Sequence, residues 1–275
     1  MNLRGKVEVV AQTDVGQVRD HNEDCISCAP HLGIAVLADG MGGLNAGEVA
    51  SAMSVNLLME DLVAYREGRS DMEESLEEDD DLLLDARVMK HAIEKTNGTV
   101  FHVSQTQPQC RGMGTTVVVS LFYDNKLCVG HIGDSRMYRF RDNGLEQITR
   151  DHSFVQELID KGLYTKEEAR ASNRKNVVTR ALGVGPAVEA EVTVHKAKPG
   201  DVYLMCSDGL SDLVPDAEIE SCLREKRRNL GEAASHLVDM ANANGGKDNI
   251  SVVLVRVIKP FPADRGIIKR IANWF

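Results

Sequence analysis

Residues 115–149, TTVVVSLFYDNKLCVGHIGDSRMYRFRDNGLEQIT, decide the fold class. Four strand-like runs follow one another at short spacing, with turns at Asp124-Asn125 and Asp142-Asn143-Gly144. Short turns rich in Asn, Asp and Gly join antiparallel neighbours, whereas parallel strands need a crossover of a dozen or more residues. A regular βαβ sheet is therefore excluded. Working outward, strands are expected at VEVVAQ (7–12), CISCA (25–29) and GIAVLAD (33–39), and helices over 46–64 and roughly 86–104. A polar helical stretch at 151–175 follows the meander. Strands return around VVTRAL (177–182), AEVTVH (190–195) and DVYLMCS (201–207). Helices near 216–225 and 231–243 precede a last strand, ISVVLVRVI (250–258). Strands and helices are grouped rather than alternating, which predicts an α+β layered architecture with antiparallel sheets.

The 275 residues suffice for one large domain with a substantial core. A net charge of −10 with no basic stripe argues against nucleic acid as a partner. No apolar run approaches the ~20 residues that span a bilayer, and MNLRGKVEVV lacks the apolar segment of a signal peptide. Six scattered cysteines, three within apolar strand-like runs, fit buried free thiols in a reducing cytoplasm. The Cys25–Cys28 spacing is a weak metal or redox signal without a second pair. Residues 71–85 carry nine acids and no base, the composition of a solvated loop insertion, with a regulatory or partner-docking segment as the alternative.

Four apolar runs meet an aspartate flanked by Gly, Asn or Ser: at Asp39-Gly40, Asp134, Asp208-Gly209 and Asp248-Asn249. Aspartate is depleted in and beside strands. A strand end is a rigid mount for a carboxylate, so four such junctions imply convergence on a metal. Clustered carboxylates repel one another unless a divalent cation intervenes. The oxygen-only set of Asp39, Asp208, Asp248, Asp134 and a backbone carbonyl such as that of Gly40 selects Mg²⁺ or Mn²⁺ over structural zinc. Two such ions acidify a bridging water and clamp a phosphoryl oxygen, which implies hydrolysis of a phosphate ester without a covalent intermediate. In TDVGQVRDHNEDC, Arg19 precedes Glu23 and Asp24; a guanidinium suits phosphate, and the paired acids suit metal-bound waters. A mixed-charge surface turn is the alternative for that segment.

The motifs RDHNED (19–24), LADGMGGLNAGEVAS (37–51), GMGTT (112–116), HIGDSRMY (131–138), SDGLSD (207–212) and GGKDNISVV (245–253) occur in this order. Together they resemble the metal-dependent type 2C Ser/Thr protein phosphatases in their bacterial form, across residues ~7–257. The resemblance implies a central β-sandwich of two antiparallel sheets flanked by helices, in four αββα layers, with a mobile flap about 151–175. It implies two Mn²⁺ or Mg²⁺ ions, with Asp39 bridging both, the Gly40 carbonyl on the second, and Asp208 and Asp248 completing the first. Glu23 and Asp24 would hold coordinating waters, Arg19 the substrate phosphate, and Asp134 with Asp208 a third, weaker ion. It further implies phosphorylated proteins as substrates, a Ser/Thr kinase as the opposing partner, and a monomer.

Met41 departs from members that carry a histidine after the Asp-Gly as general acid, so the proton donor is unassigned. His21 and His152 lie near motif residues, with structural or solvent-facing roles the simpler reading. Catalysis has two rivals: a non-catalytic binding module, which should have lost metal carboxylates that are all present here, and a covalent aspartyl-phosphate enzyme. The latter needs D-x-D where this chain reads D-G-M. The domain is expected to end at 258. The tail 259–275 reads as a basic amphipathic end that docks on its own domain or touches a membrane surface or partner.

Overall fold

Two antiparallel sheets stack face to face in the computed structural model, which describes residues 2–43, 46–70, 72, 76 and 83–263. The strands are β1 (Val7–Asp14), β2 (Asp24–Ala29), β3 (Ile34–Met41), β4 (Gly114–Thr115), β5 (Val117–Tyr123) and β6 (Lys126–Ile132). They continue with β7 (Arg136–Arg141), β8 (Gly144–Gln147), β9 (Glu191–Lys196), β10 (Val202–Cys206) and β11 (Ile250–Val257). The first sheet has the order β1-β11-β10-β7-β8; the second runs β2-β3-β5-β6-β9, with β4 beside β3. The β5–β6 and β7–β8 turns place Asp124, Asn125, Asp142 and Asn143 at positive φ, as two-residue hairpin turns require.

Alternation along the strands builds the layers. Ala35 and Leu37 of β3 face the sandwich interior with Val118, Phe122, Tyr203, Met205, Val253 and Val255. Ile34, Val36 and Ala38 point the other way, beneath α1 (Ala46–Arg66) and α2 (Leu84–Thr106). On the outer face of the first sheet, Leu204, Val252 and Leu254 meet α6 (Asp216–Lys226) and α7 (Leu230–Ala243) through Ile219, Leu223 and Leu237. Both sheets are thus covered on both faces, which explains the nearly continuous apolar runs in the sequence. The expected αββα sandwich is the fold. Three short helices, α3 (Phe154–Asp160), α4 (Lys166–Ala171) and α5 (Asp208–Ser211), lie at the site end.

One expected strand is absent. VVTRAL forms only isolated bridges, Ser153 to Val178 and Thr115 to Leu182. Val177 is exposed, so its β-branched residues have no packed surface to select a strand. Cys25 and Cys28, three apart on β2, pack on opposite faces of the second sheet, and all six cysteines are free thiols. The acidic insert lies outside the described residues except for Met72, Leu76 and 83–85, as does the tail from 264. Before it, Phe261 is fully buried edge-on to Phe122, and its amide donates to the Asn125 side chain.

Candidate active site

All five aspartates of the expected site gather at one end of the sandwich, and both sheets contribute. Asp24 opens β2 in register with Asp39 near the end of β3. Asp208 starts α5 directly after β10, and Asp248 stands just before β11. Asp134 lies in the connection by which β6 of the second sheet passes to β7 of the first, and is 8% exposed. The glycines beside these aspartates allow backbone to meet backbone. A Cβ on Gly40 would sit 2.1 Å from the Gly47 carbonyl oxygen of α1, and one on Gly209 would sit 2.0 Å from that of Asn249.

Electrostatics bind the five into one group. Burial raises the Asp39 carboxyl well above its usual range, and Asp24, Asp208, Asp134 and Asp248 raise it further. Burial, then Asp212 and Asp248, lift Asp208 to about 7, partly offset by a hydrogen bond shared with Asp39. Burial, then Asp208 and Asp151, lift Asp134 to about 8. Asp24 rises to about 7 by burial, against the neighbouring Ser251 and Ser207 hydroxyls, which favour its anion. Its Oδ1 has no hydrogen-bond partner at all, while Oδ2 accepts from the Ser207 hydroxyl at 2.9 Å. Crowded carboxylates with an orphaned oxygen are a donor set built for hard divalent cations. Among the described residues, the one trio of His, Cys, Asp or Glu with ligand atoms within 4.8 Å of one another is His131, His152 and Glu191, not three of the aspartates. The aspartates therefore ring a space rather than close on a point, which suits ions that retain several waters.

Arg19 lies at the rim, half exposed, and its Nη2 donates to Asp248 Oδ2 at 2.7 Å. Glu23 and Asp24 diverge, as consecutive residues entering a strand must. Asp24 turns into the cluster, whereas the Glu23 carboxylate lies against Gly47, where a Cβ would be 2.7 Å from its Oε1. Met41 ends β3, half-buried. His21 is exposed, with Nε2 3.8 Å from Glu23 Oε1, and His152 is buried.

Several supporting residues escaped the sequence reading. Asn249 accepts from the Glu23 amide and donates to the Val15 and His21 carbonyls, shaping the Arg19 loop from the far end of the sequence. Thr115 Oγ1 donates to the Asp39 carbonyl, and the Thr116 amide does the same at 2.9 Å. All three lie inside the motifs GMGTT and GGKDNISVV, but nothing in their spacing signals which atoms they bind. A cleft of about 380 Å³ runs from Asp134 and Asp208 under α3 and α4, lined also by Val155, Ile159 and Leu213. Across it, Lys175 Nζ donates to Asp212 Oδ2 at 2.6 Å. The polar segment expected to form a flap thus stands beside the aspartates.

The family model for protein phosphatase 2C matches residues 37–250, which run from β3 through the start of β11. The chain belongs to the protein phosphatase 2C family. The serine/threonine phosphatase stp of Listeria monocytogenes is 38% identical over 251 residues, covering 89% of this chain and 93% of that one. The crystal structure of the Mycobacterium tuberculosis serine/threonine phosphatase PstP/Ppp superposes with a TM-score of 0.79 at 36% identity, over 92% of this chain and 99% of that one. A structure of the PstP catalytic domain in complex with two manganese ions superposes with a TM-score of 0.77 at 38% identity, over the same shares. This protein phosphatase 2C chain thus shares its sandwich with a catalytic domain whose structure holds two manganese ions.

Proposed function

We propose that the chain is a metal-dependent protein phosphatase that hydrolyses phosphoserine and phosphothreonine, using two Mn²⁺ or Mg²⁺ ions. The observation that carries this reading is the ring of five aspartates drawn from both sheets, with one arginine at its rim. Asp39, Asp208, Asp248 and the Gly40 carbonyl would hold the two ions, and Asp134 with Asp208 a third, weaker one. When bound, such ions make water nucleophilic at neutral pH and polarise the phosphoryl group. Glu23 and Asp24 would accept protons of the surrounding waters and fix their orientation. Arg19 would donate to the substrate phosphate, exchanging its present bond to Asp248 for bonds to the phosphate oxygens. The cleft under α3 and α4 would take substrate residues next to the phosphate. Met41 has no proton to give the leaving alcohol.

A non-catalytic module on the same fold would not need to retain every carboxylate. We also place the enzyme in the cytoplasm as a monomer opposing a Ser/Thr kinase. Six free thiols support that compartment. No helix among the described residues is long and apolar enough to cross a membrane. The direct test is phosphate release from a phosphothreonine peptide. Release should require Mn²⁺, stop with EDTA, and be abolished by Asp39→Asn; undiminished activity after rigorous metal removal refutes the reading.

A further inference from the structure

Against the backbone of Gly133, the residue before Asp134, lies a second cluster, made of His131, His152 and Glu191. The two imidazoles are buried and stacked, with centroids 4.7 Å apart and planes 17° from parallel. Their hydrogen bonds fix both tautomers. His131 Nε2 faces the Arg150 carbonyl at 2.8 Å, so that nitrogen carries the proton. His152 Nδ1 accepts from the Gly133 amide at 3.1 Å, so its proton sits on Nε2, directed at Glu191 Oε2 3.4 Å away. Burial, then the stacked His131, push the His152 pKa down to about 4, which keeps this tautomer neutral at pH 7. An ion in the trio would need the Nε2 lone pair. Freeing it would move the proton to Nδ1, face to face with the Gly133 N–H.

The same contacts give the cluster another use. Gly133 precedes Asp134, and His152 holds it from both ends: the His152 amide donates to the Gly133 carbonyl at 2.9 Å while the ring accepts the Gly133 amide. On the far side of Asp134, the Ser135 hydroxyl shares a 2.7 Å hydrogen bond with Thr116, whose amide binds the Asp39 carbonyl. His152 is also the root of the segment carrying α3 and α4. Its carbonyl accepts from the Thr179 amide at 2.8 Å, and the next residue, Ser153, bridges Val178 and caps α3. Thus one residue touches the loop bearing Asp134 and both ends of the segment that roofs the cleft.

We propose that His152 is a positioning residue for Asp134, fastening that carboxylate to the root of the α3–α4 segment. The role rests on the reading of Asp134 as a ligand of the weaker ion. A group holding a ligand's backbone acts as an outer-shell partner does, and loss of such a partner costs about 10–100-fold in metal affinity. Because the fastening is mutual, whatever fixes the α3–α4 segment also fixes Asp134, and occupancy at Asp134 steadies the segment in return.

Three substitutions separate this role from simple packing. Asn places its Oδ1 where Nδ1 stands and keeps the acceptor; Gln places its polar atoms near Nε2 and loses it; Leu loses both. In the full-length protein, hydrogen–deuterium exchange at the Gly133 amide should match the unmutated protein in His152→Asn and rise in His152→Gln and His152→Leu. Calorimetric titration with Mn²⁺ alone should show the weakest ion bound about tenfold or more less tightly in His152→Gln and His152→Leu, with the tighter ions unchanged. If the Gly133 amide is protected from exchange in His152→Gln as well as or better than in His152→Asn, or if melting temperature falls while neither readout moves, the proposal is overturned. So too is it by 1:1 Zn²⁺ binding that Glu191→Gln abolishes, since the trio would then be a metal site. Absence of Mn²⁺ binding in the unmutated protein would instead sink the phosphatase reading, and the exchange result would still decide the role of His152.

Discussion

Asp208→Asn should stabilise the metal-free protein while weakening its stabilisation by metal. Burial, then Asp212 and Asp248, lift the Asp208 carboxyl from 3.8 to about 7. A folded-state pKa above the unfolded value gives stability that is present in full below the unfolded pKa and is lost as pH rises through the folded one. For Asp208 that window runs from about pH 4 to about pH 7. At pH 8 the ionised carboxylate is therefore a burden on the metal-free fold. A difference of about three pH units at ~1.4 kcal/mol each sets a ceiling near 4 kcal/mol, and relaxation and water entry reduce this to about 2 kcal/mol. In a domain of this size that is a rise in melting temperature of about 5 °C for the neutral, near-isosteric amide. Thermal melts of EDTA-treated protein at pH 8 should show this rise, and at pH 5 the gap should shrink because the wild-type group is then protonated. Saturating Mn²⁺ should reverse the order, since the wild type keeps every ligand and gains more from binding. A lower melting temperature for metal-free Asp208→Asn at pH 8, or an equal gap at both pH values, would refute the reasoning.

The same protons should be counted directly. Calorimetry of Mn²⁺ binding at pH 7 in buffers of different protonation enthalpy should register release of about one to two protons, since Asp24 and Asp208 titrate near 7 and Asp134 near 8; no release contradicts the crowding. Gly209→Ala drives a Cβ to 2.0 Å from a backbone oxygen and should cost more than about 3 kcal/mol in urea unfolding. Gly98→Ala, on the exposed side of α2 with nothing within 4 Å, should gain about 0.5–1 kcal/mol, and similar outcomes for the two would void the close-approach argument. Arg19→Ala should raise KM for a phosphopeptide about tenfold, with partial recovery in Arg19→Lys; unchanged kinetics would remove Arg19 from phosphate binding.

The sandwich was legible in the sequence because its informative signals are local. The Asp124-Asn125 and Asp142-Asn143 turns declare their hairpins, and apolar runs such as VVVSLFY are long enough to demand burial on both faces. The aspartates were legible because a carboxylate at a strand end is an expensive exception that packing does not explain. VVTRAL misled because β-branched residues have strand propensity even where only isolated bridges, such as Val178 to Ser153, are available to pair with them. Asn249, Thr115, Thr116 and the ring-to-amide bond of His152 act through contacts between residues far apart or through backbone atoms, and neither leaves a pattern in side-chain type. The exposed His21 and buried His152 show the same limit: two histidines beside motifs have opposite surroundings that only the assembled sheets decide.

The division of the aspartates between two sheets has a consequence for biosynthesis. Asp24 and Asp39 enter early on the second sheet, whereas Asp248 arrives with β11, a strand that must slot between β1 and β10 before the first sheet is continuous. A nascent chain that has translated β2 and β3 holds less than half of the ring and has nothing to close it. The ring therefore cannot assemble piecemeal: its last carboxylate is in place only once β11 has joined its two neighbours and the first sheet is complete.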